Sequence, residues 1–255
     1  MIYAIGDIHG HLAKLEEAHR RIAADWREFG ASGQPTVVHI GDICDRGPDT
    51  KGAVQFLIDG IAGGADWVVL KGNHDRLFSN FLAGGDGSDD RLGGGLTWFS
   101  TSMGGTATLS SYTRRKSILE SDEKFQRRGR AAVPEEHARF LSDLPVWYRA
   151  EDMIFVHAGI RPGFPLEAQD EDDLLWIRDD FLWHLGVHEK LIVHGHTPVD
   201  EPTHYGNRVN IDTGAGWGGE LVPVVFEKNA CFALTETGRI ALRIPRVAPK
   251  KARQR

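Results

Sequence analysis

Short apolar runs alternate with helical patterns over the first part of the chain. Residues 2–5, 36–40 and 67–70 are largely apolar runs of the length that is typical of buried strands. Between them, residues 11–29 and 50–62 carry apolar side chains near helical spacing, which predicts two amphipathic helices. This alternation of strand and helix predicts an α/β fold in layers.

The pattern changes in the middle of the chain, where residues 84–95 are rich in Gly and Asp and predict an exposed loop. Residues 135–144 predict a helix, so we expect a partly helical insertion, about residues 78–145, on top of the sheet. Further apolar runs predict strands at residues 153–156, 191–193, 208–211, 221–227, 231–234 and 239–244. The last three of these predict a β-meander, with Thr-Glu-Thr-Gly as a hairpin turn.

Length and composition are those of an ordinary globular protein, with 255 residues, 41% hydrophobic and 26% charged. We expect a single domain over residues 1–245 and a basic tail, residues 246–255, that frays.

The net charge of −6 excludes the strongly basic footprint of a nucleic-acid-binding protein, so we expect no nucleic-acid partner. Two cysteines, Cys44 and Cys231, do not make a disulfide framework and favour a reducing compartment. We see no signal-peptide pattern and no apolar run near the roughly 20 residues that span a bilayer. We therefore expect a cytoplasmic protein that does not bind membranes.

Five segments place residues that can bind metal directly after predicted strands. They are GDIHG (6–10), GDICDRG (41–47), GNHD (72–75), HAG (157–159) and HGHT (194–197). Ligands of an open sheet gather outside the carboxyl ends of its strands, so these side chains are expected in one site. Asp, Asn and His supply oxygen and nitrogen donors without a thiolate, and such a set suits Mn, Fe or Zn.

In this order, the five motifs resemble those of bacterial serine/threonine protein phosphatases, the phosphoprotein phosphatase branch of the calcineurin-like metallophosphoesterases. The resemblance covers about residues 1–75 and 150–215. It implies a metallophosphoesterase β-sandwich, in which two mixed sheets are flanked by helices and the insertion forms a cap. It also implies a metal-dependent phosphomonoesterase that acts on phosphorylated proteins or peptides.

The resemblance further implies two divalent cations, with Mn as the expected ion in vitro and Fe or Zn as alternatives. The implied ligands are Asp7 and His9 for the first ion, Asp42 for both, and Asn73, His157 and His196 for the second. We assign His196 rather than His194 because it follows the glycine of the Gly-His element. A hydroxide that bridges the two ions would attack phosphorus in line with the leaving oxygen.

Four further residues are expected to assist this reaction. His74 is the general acid that protonates the leaving oxygen, and the resemblance assigns Asp45 as the carboxylate that orients its imidazole. Arg46 binds the substrate phosphate together with Asn73, because a guanidinium donates two parallel hydrogen bonds to phosphate oxygens. Arg178 is the expected second arginine of the phosphate site.

The motifs leave the substrate open between two main alternatives. The presence of Asp45 favours phosphoserine and phosphothreonine, because similar dinucleoside tetraphosphate hydrolases tend to lose the acidic residue before the arginine. Symmetrical hydrolysis of dinucleoside polyphosphates such as diadenosine tetraphosphate is the alternative, because those bacterial enzymes share GNHD and HAGI with this chain. A non-catalytic scaffold is disfavoured because every expected ligand is present, and a nucleic-acid phosphodiesterase by the acidic charge.

Overall fold

Two β-sheets pack against each other in the computed structural model, which describes residues 1–150, 152–228 and 230–244. Within these ranges the strands are β1 (Ile2–Ile5), β2 (Thr36–His39), β3 (Trp67–Val69), β4 (Trp147–Ala150), β5 (Met153–Val156), β6 (Leu191–His194), β7 (Thr203–His204), β8 (Arg208–Asn210), β9 (Val224–Glu227), β10 (Ala230–Thr235) and β11 (Gly238–Ala241). The α-helices of the same ranges are α1 (Leu12–Phe29), α2 (Thr50–Ala62), α3 (Asn73–Leu82), α4 (Gly105–Tyr112), α5 (Asp122–Ala132), α6 (Glu135–Ser142), α7 (Glu171–Trp176) and α8 (Asp179–Leu182).

Both sheets are mixed, with a parallel part that carries the motif loops. In the described residues the first sheet has the order β11-β10-β9-β1-β2-β3, and β1, β2 and β3 are parallel. The second has the order β4-β5-β6-β8-β7, and β5, β6 and β8 are parallel. The fold is therefore the expected α/β sandwich of two mixed sheets flanked by helices.

Consecutive side chains of a central strand point to opposite faces of its sheet. Both sets are apolar, so both faces of the sheet are buried. Ile2 and Ala4 of β1 lie in the apolar cluster between the sheets, which Phe155 of β5 also enters. Tyr3 and Ile5 point the other way, into the apolar cluster beneath the helices of the first sheet. A strand that is apolar on both faces must be covered on both, which places it in the middle of the layers.

Helices cover the outer face of each sheet. The outer cluster of the first sheet contains Leu15 of α1, Leu57 of α2 and Phe78 of α3. In the second sheet, Ile154 of β5 packs in a cluster with Phe181 of α8. None of the described helices is long and apolar enough to cross a bilayer.

The elements predicted for the first 70 residues are confirmed, with bounds equal to the observed ones or one residue apart. The predicted β-meander is also confirmed, because β9, β10 and β11 pair antiparallel in sequence. The expected insertion contains the second half of α3 together with α4, α5 and α6. The expected basic tail, residues 246–255, lies outside the described residues.

Several short elements were not predicted from the sequence. β4 is only partly buried, so its side chains lack a strong alternation. β7 has two residues and α8 has four, and neither length gives a periodic signal. The strong patterns therefore located the sheet centres. The sheet edges and the individual helices α3, α4, α5, α7 and α8 were not located from the sequence.

Asp25 of α1 joins the first strand to the last hairpin. The hydroxyl of Tyr3 donates to Asp25 Oδ2 at 2.8 Å. Arg239 of β11 donates through Nε to Oδ1 at 2.6 Å and through Nη2 to Oδ2 at 2.8 Å. Such bidentate pairs are the strong form of a carboxylate–guanidinium contact. The network fastens the meander to the face of the sheet that α1 covers.

We predict that Asp25→Ala lowers the free energy of unfolding by roughly 3 kcal/mol, because it removes the acceptor of the buried Tyr3 hydroxyl and the bidentate partner of Arg239, although the contact of Arg239 with Glu227 remains. The matched control is Glu17→Ala on the same helix, whose partners Arg20 and Arg21 it meets at the surface. This control should lower the free energy of unfolding by less than about 1 kcal/mol. Urea denaturation followed by circular dichroism measures both, and equal losses would contradict the prediction.

Candidate metal centre

The five motif loops meet at the carboxyl ends of the parallel strands of both sheets. The His157 ring donates through Nδ1 to the carbonyl of Ile40 at 3.0 Å, which joins β5 to β2. The N–H of Gly195 donates to the carbonyl of His157 at 2.8 Å. The N–H of His196 lies 3.2 and 3.3 Å from the two carboxylate oxygens of Asp7. Residues far apart in the sequence thus form one buried group of polar side chains.

A first donor cluster consists of His9, Asp42 and His74, each of which contributes an atom within 4.8 Å of the others. His9 Nε2 lies 3.5 Å from Asp42 Oδ2, and His74 Nε2 lies 4.0 Å from the same oxygen. All three residues are buried. A cluster of two imidazoles and a carboxylate is a plausible donor set for a divalent cation.

A second donor cluster consists of Asp42, His157 and His196. His157 Nε2 lies 3.4 Å from Asp42 Oδ1 and 2.9 Å from Asn73 Oδ1. Asp42 therefore faces the first cluster with one oxygen and the second cluster with the other. One carboxylate shared by two donor clusters is the arrangement that two adjacent cations require.

Two expected residues need a separate description. Asp7 is buried close enough to Asp42 for the two charges to interact, although it is a member of neither compact cluster of the described residues. Its carboxylate accepts the backbone N–H of His196, and its assignment to the first ion stays a prediction. His74, expected to act as the acid alone, places Nε2 inside the first cluster. The structure brings the other expected ligands together around Asp42.

The hydrogen bonds of the histidines test whether this donor set fits a metal. His9 Nδ1 donates to the carbonyl of Cys44 at 2.8 Å, and His157 Nδ1 donates to that of Ile40. These bonds leave Nε2 of both rings without a proton and directed toward the donor clusters, as is usual for metal-binding histidines. The Arg46 guanidinium contacts this atom of His9, and Asn73 Oδ1 lies 2.9 Å from this atom of His157. Among the described residues, the buried Nε2 of His196 has no hydrogen-bond partner. The donor set therefore fits a cation between these atoms.

The electrostatics of the site point the same way. Burial lowers the pKa of His9, His157 and His196, so each ring is neutral and able to bind metal at pH 7. Burial, with the charge of Asp42 added, raises the pKa of Asp75 to about 7. Among the described residues, five buried carboxylates lie in or beside the centre, at Asp7, Asp42, Asp45, Asp75 and Asp212. Divalent cations would compensate this concentration of negative charge.

The side chain of Asp45 fixes the orientation of His74. His74 Nδ1 donates to Asp45 Oδ2 at 2.6 Å, which directs Nε2 toward the donor clusters. The same oxygen accepts the indole N–H of Trp98 at 2.8 Å, and Oδ1 accepts the hydroxyl of Thr108 at 2.7 Å. Asp45 is fully buried, so these three donors replace water around its carboxylate. Asp75, by contrast, accepts only from its own loop and from the loop of Ile43 and Cys44 among the described hydrogen bonds.

Arg46 lies over the first cluster. Its guanidinium contacts His9 Nε2 and donates to His74 Nε2 at 3.0 Å. A further bond from Nε to the carbonyl of Ser102 at 3.2 Å holds the stem, and the ring of Trp217 lies 4.4 Å from the guanidinium carbon. An anion bound at the first cluster would therefore meet the guanidinium directly.

Arg178 lies near the second cluster, where its charge helps to lower the pKa of His196 and His157. It precedes α8, and its Nη1 donates to the hydroxyl of Thr197 at 3.0 Å. Burial of the guanidinium lowers its pKa, while the charges of Asp7 and Asp42 oppose this effect. The structure thus brings both expected arginines to the centre, one beside each donor cluster.

Sequence reasoning missed the residues that support the site from outside the motifs. Trp98 and Thr108 lie in the insertion, outside the five motifs. Trp98 packs against Phe78 at 5.2 Å between ring centroids, and its indole N–H donates to Asp45. The one available signal was a tryptophan in an otherwise polar, Gly-rich segment.

Cys44 and His194 lie within motifs but outside both clusters of the described residues. Burial raises the pKa of the Cys44 thiol, so the side chain is an unreactive part of the core. His194 is fully buried and its ring packs on Phe181. Both observations agree with the interpretation that neither side chain binds metal.

Comparison with known proteins gives relatives over the whole chain. A bis(5'-nucleosyl)-tetraphosphatase PrpE (asymmetrical) of Anoxybacillus flavithermus is 26% identical, over 98% of this chain and 98% of the relative. A solved structure named "putative diadenosine tetraphosphatase" superposes with a TM-score of 0.62 at 20% identity, over 95% of this chain and 93% of that one. A cold-active protein tyrosine phosphatase superposes with a TM-score of 0.60 at 18% identity, over 95% and 78%.

The likeness to the solved structures shows the fold, with its two mixed sheets between layers of helices. The sequence profile of the calcineurin-like phosphoesterases matches residues 1–222, a range that includes all five motifs and both donor clusters. The chain therefore belongs to the calcineurin-like phosphoesterase family.

Proposed function

We propose that this protein is a metal-dependent hydrolase that cleaves bis(5'-nucleosyl) tetraphosphates asymmetrically, into a nucleoside triphosphate and a nucleoside monophosphate. The observation that carries the proposal is the whole-length similarity to a PrpE tetraphosphatase named asymmetrical, which extends through the insertion as well as the motifs. The sequence alone favoured a protein phosphatase and had the symmetrical cleavage as its alternative. The names of the relatives favour the asymmetrical one.

The charges around the centre suit a polyphosphate chain. Arg46 contacts the first cluster and Arg178 lies within electrostatic reach of the second. A guanidinium binds phosphate oxygens with parallel hydrogen bonds, so two of them near the donor clusters would hold successive phosphates of one chain. The amide of Asn73 lies next to His157 and is a third contact for a phosphoryl oxygen.

Asp42, His9, His157 and His196 would hold the metal, with Asn73 completing the second cluster. Two divalent cations, when bound there, lower the pKa of water and neutralise charge on the phosphoryl oxygens. The protein's own contribution is a buried donor set whose rings are already oriented by bonds to backbone carbonyls. Such orientation costs no reorganisation when substrate binds.

His74 is positioned to give a proton to the leaving oxygen. Its Nδ1 is held by Asp45, and its Nε2 faces the same space as Arg46. How much the reaction is accelerated by this proton depends on the basicity of the leaving group. The terminal phosphate of a departing nucleotide has a pKa of about 6 and is stable as an anion at neutral pH. A serine or threonine alkoxide is a much stronger base and needs the proton.

The geometry of Asp45 and His74 therefore supports a second candidate, the dephosphorylation of phosphoserine or phosphothreonine in proteins. A buried carboxylate with three donors, aimed at an imidazole, is what protonation of an alkoxide requires. The two candidates use the same donor clusters and arginines, and differ in the group that leaves.

The products of diadenosine tetraphosphate distinguish the proposed activities. With manganese added, we predict ATP and AMP in equal amounts, separated by ion-exchange chromatography. ADP as the sole product would show symmetrical cleavage and contradict the proposal. Faster release of phosphate from a phosphoserine peptide, with no nucleotide product, would replace it by the second candidate.

Asp42→Asn tests the shared carboxylate. We predict that it lowers kcat/KM by more than about 100-fold, because outer partners of metal ligands alone account for about 10–100-fold. It should also lower the manganese retained after dialysis, measured by mass spectrometry. The matched control is Asp200→Asn, an exposed carboxylate outside the motifs, which should keep both values. Near-normal turnover in Asp42→Asn, with the fold intact by circular dichroism, would refute the two-cluster site.

His74→Asn tests whether this residue acts as the acid or as a metal ligand. As the acid, it should lower turnover of a phosphoserine peptide by about 10²–10⁴-fold. Turnover of p-nitrophenyl phosphate should fall far less, because p-nitrophenolate leaves without a proton. Asp45→Asn should give a smaller change with the same substrate dependence. Equal losses on both substrates, together with lost manganese, would instead assign His74 to the first metal.

A further inference from the structure

An exposed aromatic ring stands beside Arg46. Trp217 ends a single 3₁₀ turn, Ala215–Trp217, and 61% of its surface is exposed. The guanidinium carbon of Arg46 lies 4.4 Å from the centre of its ring. Because Arg46 covers one face of the indole and most of the residue is still exposed, the other face is open to solvent.

The backbone holds this ring in a fixed place. The turn begins after Gly214 and ends before Gly218, whose φ angles of +73° and +96° lie in the left-handed region that favours glycine. The ammonium group of Lys14 donates to the carbonyls of Ala215 at 3.0 Å and Gly219 at 2.7 Å. The indole is thus presented on a tied loop, so little conformational freedom would be lost when a ligand binds it.

The same turn packs directly on the first donor cluster. A Cβ atom at Gly216 would lie 2.6 Å from Cδ2 of His9 and 3.1 Å from Cδ of Arg46. A side chain at position 216 would therefore collide with His9 and Arg46, and only a glycine lets the turn pack this closely on the first donor cluster. Other tryptophans near the site differ, since Trp98 is fully buried and Trp176 is half-buried in the core.

We propose that Trp217 forms a nucleobase subsite, in which the base of a nucleotide whose phosphate is held by Arg46 stacks on the open face of the indole. This inference rests on the proposed function and names the part of the substrate that the donor clusters do not recognise. Phosphate and base are joined through one ribose, so a phosphate at Arg46 brings its base to the neighbouring ring. Stacking accepts any base, because every base has a π face.

A different role for Trp217 makes a different prediction. If the indole only held Arg46 in place through the cation–π contact, its removal would weaken every phosphate ligand alike. A base subsite affects only ligands that carry a base. The ratio of two dissociation constants, for ribose 5-phosphate and for AMP, isolates the base because the two ligands share the sugar and the phosphate.

The experiment measures both constants by titration calorimetry on manganese-loaded protein. We expect AMP to bind the wild type about tenfold more tightly than ribose 5-phosphate, within the range of one aromatic–base stack. In Trp217→Leu the ratio should fall to about 1, and in Trp217→Tyr most of it should remain. The control is Trp183→Leu, an exposed tryptophan at the end of α8 whose indole N–H donates to Asp179 at 3.3 Å, which should keep the ratio of the wild type.

Two outcomes would overturn the subsite. One is a ratio near 1 in the wild type, and the other is an unchanged ratio in Trp217→Leu, including the case in which both ligands are weakened equally. Hydrolysis of diadenosine tetraphosphate, measured on the same preparations, is a separate result. A tenfold ratio without hydrolysis would refute the proposed function and leave the subsite supported. Hydrolysis with a ratio near 1 would support the proposed function and refute the subsite.

Discussion

The site depends on one buried carboxylate, that of Asp42. Its two oxygens face the two donor clusters, and its backbone carbonyl accepts the N–H groups of Ile8 at 3.0 Å and His9 at 2.8 Å. Its Oδ1 also accepts the N–H of His74 at 3.0 Å. A buried charge is tolerated only when it is paired and hydrogen-bonded. The loops of the first three motifs must therefore close around the Asp42 carboxylate for this part of the protein to be stable. Even Gly72 is fixed by it, because a Cβ atom would lie 2.1 Å from Asp42 Oδ1.

This closure is accompanied by backbone strain that is concentrated in the motifs. Among the described residues, most non-glycine residues with positive φ belong to them: His9 (47°), Asp42 (50°), Asp45 (78°), Arg46 (63°) and His196 (64°). Side chains other than glycine rarely adopt this conformation, and such residues persist only where the surroundings fix them. The left-handed turns let consecutive residues point into the site from the end of one strand, which regular backbone would not allow.

How much of the structure could be predicted from the sequence depends on how far apart in the chain the interacting residues lie. The apolar runs of β1, β2 and β3 and the helical periodicity of α1 and α2 are local patterns, and they predicted the bounds of these elements within one residue. The meeting of the motifs followed from strand topology. By contrast, the bonds of Trp98 and Thr108 to Asp45 join segments that are 53 and 63 residues apart, and no local pattern records them. The open indole of Trp217 at the rim likewise depends on tertiary packing.

The hydrogen bonds from the insertion to Asp45 have an evolutionary consequence. Trp98 and Thr108 contribute two of the three side-chain donors described for this carboxylate, although both belong to the segment that covers the sheet rather than to a motif. The covering segment is therefore not a module that can be exchanged between relatives to change recognition alone. A chimaera that received another such segment would inherit a different environment for Asp45 and His74 and, if His74 is the acid as proposed, a different tolerance for poor leaving groups.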